Sequence, residues 1–89
     1  MNQVKIKHCL AVRPGVSLEQ IQAVYSHPQA LMQCSDFLKY HNLKQIEYSN
    51  TATAAAFVAS SSEPFAAICS EECAKQNHMD ILFSGIANV

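Results

Sequence analysis

The sequence predicts an α/β fold with a mixed, mostly parallel sheet and flanking helices. Three observations carry that expectation. Short runs with strand periodicity alternate along the chain with apolar stripes at helical spacing. Three runs lead directly into helix-capping residues, at Ser26, at Ser49-Asn50-Thr51 and at Ser70. One run, Phe65-Ala66-Ala67-Ile68-Cys69, is apolar at every position, as a central strand covered on both faces must be.

The elements follow in order. Val4, Ile6, His8, Leu10 and Val12 alternate with Lys5, Lys7, Cys9, Ala11 and Arg13, which is a strand with one apolar face. Pro14-Gly15 turns the chain. Ser17 to Gln20 makes a short capped turn, and Ile21 to Tyr25 reads as a second strand. The short connection predicts that the first strand runs antiparallel to its neighbour. Ser26 caps a helix that has proline in its first turn. Ala30, Leu31, Cys34, Phe37, Leu38 and His41 form its buried stripe, and Asn42 ends it. Gln45 to Tyr48 is a third strand. Ala52 to Ala59 is a second helix, with side chains small enough for close packing. Phe65 to Cys69 is the fourth strand. Ser70 caps a third, short helix with Glu71 and Glu72 in its first turn, where the helix dipole favours acids. Asp80 to Phe83 is a last strand or an extended segment.

Composition removes several classes of function. The 89 residues are 49% hydrophobic and 15% charged, an ordinary balance for a small globular unit. A chain of this length hides only about 60% of its unfolded surface, so a low charge content leaves apolar area for a neighbour. The net charge of -1 and pI near 6.4 give no electrostatic footprint for nucleic acid. The N-terminus has no apolar signal core, and Ala52 to Ala59 falls far short of the roughly 20 residues that cross a bilayer. A cytoplasmic location is expected. Cys9, Cys34, Cys69 and Cys73 each lie in or beside apolar runs and read as buried free thiols, with no metal expected.

If the strands are parallel, the three capped junctions share one sheet edge, where open α/β sheets bind ligands. Each junction offers unpaired backbone N–H groups and a positive dipole end, a seat for a small anion. His27, beside Ser26, can donate a hydrogen bond there. A cofactor is not expected, because two glycines cannot build a phosphate-binding loop. Paired carboxylates and a nucleophile elbow are also missing.

One stretch goes further. Val24-Tyr25-Ser26-His27-Pro28-Gln29-Ala30-Leu31-Met32-Gln33-Cys34 resembles the S-H-P-Q-A-L-x-Q-C signature of the prephenate dehydratases. Ile6-Lys7-His8-Cys9-Leu10 is similar to the strand that family writes as I-x-H-x-L. Thr51-Ala52-Thr53-Ala54-Ala55 and Ala66-Ala67-Ile68-Cys69-Ser70 match its T-A-x-A-A and A-A-I-x-S segments. The resemblance implies one lobe, the second, of a catalytic region built like a type II periplasmic binding protein. It implies that the whole enzyme converts prephenate to phenylpyruvate, water and carbon dioxide in phenylalanine biosynthesis. The first lobe, an ACT domain and the T-R-F segment expected after Val89 are not among these residues. The family's catalytic threonine, and the general acid we would look for, belong to that segment.

Carried over position by position, Ser26 and Gln33 align with catalytic residues. Ser26, His27, Gln33, Asn50, Thr51 and Ser70 form the implied substrate-binding set. Asn50 stands where some relatives carry an acid, and Asn77-His78 replaces the family's tyrosine-glycine pair, which puts that corner's geometry in question. The expected partners are prephenate, the first lobe and, through an uncovered cleft face, a second copy of the chain. The rival reading is a non-enzymatic anion-binding or interaction module of the same lobe type.

The isolated 89-residue chain is expected to fold but not to dehydrate prephenate. Circular dichroism should show a cooperative α/β melt, and a phenylpyruvate assay no rate above the spontaneous one. Clear turnover would overturn the single-lobe reading and direct the search for the acid to His27, Glu47, Glu71 and Glu72.

Overall fold

The computed structural model describes residues 7–88. Five strands form one mixed sheet in the order β3-β2-β4-β1-β5. They are β1 (Cys9–Val12), β2 (Ala23–Ser26), β3 (Gln45–Glu47), β4 (Phe65–Cys69) and β5 (Asp80–Ser84). Four helices flank them: α1 (Pro28–Gln33), α2 (Ser35–Tyr40), α3 (Thr51–Ser60) and α4 (Glu71–Gln76). A single 3-10 turn, Leu18–Gln20, follows Ser17, whose backbone N–H donates to Gln20 Oε1 at 2.8 Å.

β2 pairs parallel with β3 and with β4, while β1 pairs antiparallel with β4 and with β5. Four strands therefore run one way and β1 alone runs the other. The predicted antiparallel direction of β1 holds. Its neighbours are β4 and β5, however, and not the strand that follows it in sequence. Val4 and Ile6, part of the predicted first strand, lie outside the described residues.

β4 occupies the middle of the sheet, as its unbroken apolar run requires. Ala66 and Ile68 face one core, with Leu10 and Val12 of β1, Leu31 and Cys34 beside α1, and Leu38 of α2. Ala67 and Cys69 face a second core, with Ala11, Ala55 and Val58 of α3, and Ala74 of α4. The alternation in β1 thus separates two cores instead of a core and solvent. Leu10, Val12 and Ile68 are fully buried, and each such side chain contributes about 1.5–3 kcal/mol. The second core is built largely from alanines, which let α3 lie close to the sheet. Tyr25, Phe57 and Phe65 close its flank, with ring centroids 4.9 Å apart for Tyr25–Phe65 and 5.1 Å for Tyr25–Phe57.

Two local expectations are corrected. The long helix predicted from Ser26 to Asn42 is two short helices, broken at Cys34 (φ -112°, ψ 20°). The side chain and backbone of Asn88 occupy the break. Asn88 N–H donates to the Gln33 carbonyl at 2.7 Å, and Asn88 Oδ1 accepts from the Asp36 N–H at 3.0 Å. Asn88 Nδ2 also donates to Ser35 Oγ at 3.1 Å. Asn88 thus pairs the Gln33 carbonyl and the Asp36 N–H at the break. The second correction is the helix cap. His27 caps α1, its Nδ1 accepting from the Gln29 N–H at 3.1 Å, and Ser26 is the last residue of β2.

Asn42 ends α2 as predicted, in a left-handed conformation with φ 55°. His78 ends α4 in the same way with φ 57°. Met79 N–H donates to the Ala74 carbonyl at 2.9 Å and His78 N–H to that of Lys75 at 3.0 Å. That is the Schellman pattern, in which the second residue past the helix packs back on its last turn. The corner left in question by Asn77-His78 keeps the geometry a glycine would take, with histidine in its place. A non-glycine residue there costs about 1–2 kcal/mol in the folded state, offset in part by the stiffer unfolded chain. His78→Gly is expected to keep the fold and to raise stability by up to about 1 kcal/mol. Urea unfolding of both proteins measures this, and a loss of stability would show that the imidazole itself holds the corner.

Candidate functional site

β2, β3 and β4 end on one edge of the sheet, and each leads toward a helix start. β1 begins on that edge, because Cys9 pairs with both Cys69 and Ser84, the ends of β4 and β5. An open cleft of about 590 Å³ lies there. His8, just before β1, forms one wall. His27, Gln29, Ala30 and Gln33 of the α1 segment form another, and Asn50 and Thr51 at the start of α3 complete it.

The polar groups of this cleft are chiefly donors. His27 Nδ1 accepts from Gln29, so in the neutral ring the proton sits on Nε2. Asn50 Oδ1 accepts from the Thr53 N–H at 2.8 Å, which caps α3 and leaves the amide Nδ2 as a donor. The first N–H groups of α3 have no partner within the helix, and its positive end points out at Asn50 and Thr51. The side chain of Gln33 meets His8, with His8 Nε2 and Gln33 Oε1 2.7 Å apart. None of the lining side chains is a carboxylate. A cleft of amides, imidazoles and helix N–H groups suits an anion and would repel none.

Four of the six residues of the implied substrate-binding set come together here: His27, Gln33, Asn50 and Thr51. Two do not line the cleft. Ser26 is fully buried, and its hydroxyl donates to the Ile68 carbonyl at 2.8 Å, tying the end of β2 to β4 beneath the cleft floor. Ser70 caps α4, where its Oγ accepts from the Cys73 N–H at 3.0 Å. His8 was not among the expected site residues. The signal was present, since a histidine sat on the apolar face of the first strand, but only the reversed direction of β1 brings it to this edge.

Two buried thiols, Cys34 and Cys69, offer no nucleophile at neutral pH. Burial pushes Cys34 up from 9.0 to about 11. Burial, then the thiols of Cys73 and Cys9, push Cys69 to about 12. The thiolate, which is the reactive form, is therefore scarce at either position. Among the described residues no three or more His, Cys, Asp or Glu side chains converge as a metal site.

Comparison with known proteins bears out the family resemblance. The family model described as prephenate dehydratase matches residues 2–89. The chain belongs to the prephenate dehydratase family. It is 43% identical over 82 residues to arogenate dehydratase/prephenate dehydratase 1, chloroplastic, of Arabidopsis thaliana, covering 91% of this chain and 21% of that protein. Among solved structures it is similar to the prephenate dehydratase from Arthrobacter aurescens in complex with L-Phe. That match has a TM-score of 0.87 and 31% identity, over 97% of this chain and 30% of that one. It is also similar to a protein described as GqqA, a novel type of quorum quenching acylase, with a TM-score of 0.93 and 25% identity over 97% of this chain and 32% of that one. The chain thus spans less than a third of each of these three proteins. A shared fold beneath two differently named activities means that chemistry must be argued from the cleft. The small α/β unit with a five-stranded mixed sheet is the architecture these dehydratase structures share.

Ser26→Ala tests the reading of that buried hydroxyl. It removes one buried hydrogen bond and weakens the β2–β4 junction, so stability should fall by about 1–2 kcal/mol. Urea denaturation reads the change, and an unaltered midpoint would show that the Ser26–Ile68 bond does not hold the cleft floor.

Proposed function

We propose that this chain is the substrate-positioning lobe of a prephenate dehydratase, which converts prephenate to phenylpyruvate, water and carbon dioxide. The observation that carries the reading is the donor-rich, carboxylate-free cleft in which Gln33, His27, Asn50 and Thr51 meet. Prephenate carries two carboxylates. The exposed N–H groups of α3 and the Asn50 amide suit one of them, and the His27 and Gln33 donors lie across the cleft. The reaction needs an acid to protonate the departing hydroxyl while the ring loses carbon dioxide and becomes aromatic. No lining side chain is a carboxylic acid, so we assign the acid to residues beyond those described here.

The cleft is open to solvent. A second wall from another lobe would exclude water and strengthen each hydrogen bond to the substrate. Ser26 belongs in this reading as the residue that fixes the cleft floor, and Ser70 as the residue that fixes the start of α4. A cytoplasmic location and self-association belong to the same proposal. The described residues contain no helix long and apolar enough to cross a membrane. The plant relative named above is chloroplastic, so family membership alone sets no compartment.

Gln33→Ala in the full-length protein is expected to lower turnover of prephenate by about 10- to 100-fold, the loss of one well-placed hydrogen bond worth about 1.5–3 kcal/mol. Stability should change little, because Gln33 is exposed. Steady-state assay of phenylpyruvate formation, alongside a thermal melt, separates the two. Equal losses of activity and melting temperature would return Gln33 to a structural role.

A further inference from the structure

We propose that His8 is a positioning residue for Gln33, holding its side-chain amide so that both N–H donors are presented to a ligand oxygen in the cleft. The expected effect on prephenate rests on the dehydratase reading, while the pairing itself rests on geometry.

His8 Nε2 lies 2.7 Å from Gln33 Oε1. His8 Nδ1 is buried and has no hydrogen-bond partner among the described residues. These two facts decide the direction of the bond. With the proton on Nε2, the ring donates to Oε1 and only a lone pair is left unpaired at Nδ1. With the proton on Nδ1, a buried N–H donor would be left without a partner, which is the rarer condition in folded proteins. The Nε2–H form therefore prevails and the Gln33 oxygen is the acceptor.

That fixes which end of the amide faces a ligand. Among the described residues no hydrogen bond engages Gln33 Nε2, so both its N–H groups remain available. The backbone of Gln33 is already pinned, because its carbonyl accepts from the Asn88 N–H at 2.7 Å. The side chain alone would be free to turn on an exposed helix end. A half-turn of the amide would aim its oxygen at the cleft, where it repels a carboxylate or the lone pairs of a hydroxyl. His8 removes that half-turn.

The test uses His8→Leu, His8→Gln, Gln33→Ala and the double variant His8→Leu/Gln33→Ala in the full-length protein, with prephenate as the probe. His8→Leu should lose about 10-fold in kcat/KM. His8→Gln, which keeps an N–H donor at similar reach, should recover most of it. The double variant should be no worse than Gln33→Ala, because one interaction is being removed twice. A rise in KM alone would identify the ligand oxygen as a carboxylate bound equally before and during reaction. A fall in kcat would identify it as the oxygen that departs. Losses that multiply in the double variant, or a His8→Leu protein equal to wild type, would overturn the proposal. Long-range nitrogen–proton NMR of His8 gives a readout that needs no turnover. The Nε2–H form is expected, and the Nδ1–H form would overturn the proposal. If the wild-type protein fails to turn over prephenate, the dehydratase reading falls, and the NMR result alone decides the His8–Gln33 pair.

Discussion

The site depends on one strand running the wrong way. β2, β3, β4 and β5 point together, and β1 lies between β4 and β5 in the opposite sense. A parallel strand would deliver its last residues to the binding edge. β1 delivers its first, and so His8 arrives beside Gln33 from 25 residues away in sequence. The reversal is stabilised by burial on both faces. Leu10 and Val12 enter one core and Ala11 the other. A register slip by one residue would exchange these sets, placing alanine where leucine and valine fill space, and would carry His8 away from the edge. The packing that makes the sheet stable is therefore also what places the cleft wall.

The chemistry of the edge follows from helix starts more than from charged side chains. Asn50 and Ser70 each accept one backbone N–H, and His27 does the same with a ring nitrogen. Each cap consumes the acceptor of its residue and leaves donors outward. At the cleft, between α1 and the start of α3, such caps gather N–H groups with no carboxylate among the lining side chains, while Glu47, Glu71 and Glu72 stand elsewhere along the edge. That favours an anion in the cleft without the cost of burying a lysine or arginine. It also explains why the local sequence shows no conspicuous charged motif. Such a site is made of backbone direction and of which atom of each amide is already engaged.

How much of this was legible in the sequence depends on range. The central place of β4 was readable because five apolar residues in a row fit only a strand covered on both sides. The Asn50 and Ser70 caps were readable because their partners lie three residues away. Ser26 reads as a cap because serine is a common N-cap and proline follows two residues on, yet His27, directly before Pro28, takes that place. The Ser26 hydroxyl instead reaches Ile68, 42 residues on, which no local pattern encodes. The break at Cys34 was equally hidden, since the apolar stripe runs through it unchanged. Only Asn88, more than 50 residues away, supplies the groups that let the helix come apart there.

That break matters for Gln33. In an unbroken helix the Gln33 carbonyl would accept from the residue four positions on, and the backbone would continue smoothly. Here the carbonyl accepts from Asn88 instead, at the last residue of α1. Gln33 thus stands at a helix end, where its side chain can reach the edge of the sheet, while its backbone is held by a distant segment. Its amide is held in turn by His8. Two independent contacts, from opposite ends of the chain, converge on one residue of the signature. The role proposed for Gln33 requires its amide to be held to within about half an ångström, and a long side chain on an exposed helix cannot do that unaided. A small unit with little stability to spare meets that demand through contacts its core already brings within reach: His8 directly precedes β1, and Ile86, two residues before Asn88, is buried in the same core as that strand's Leu10 and Val12.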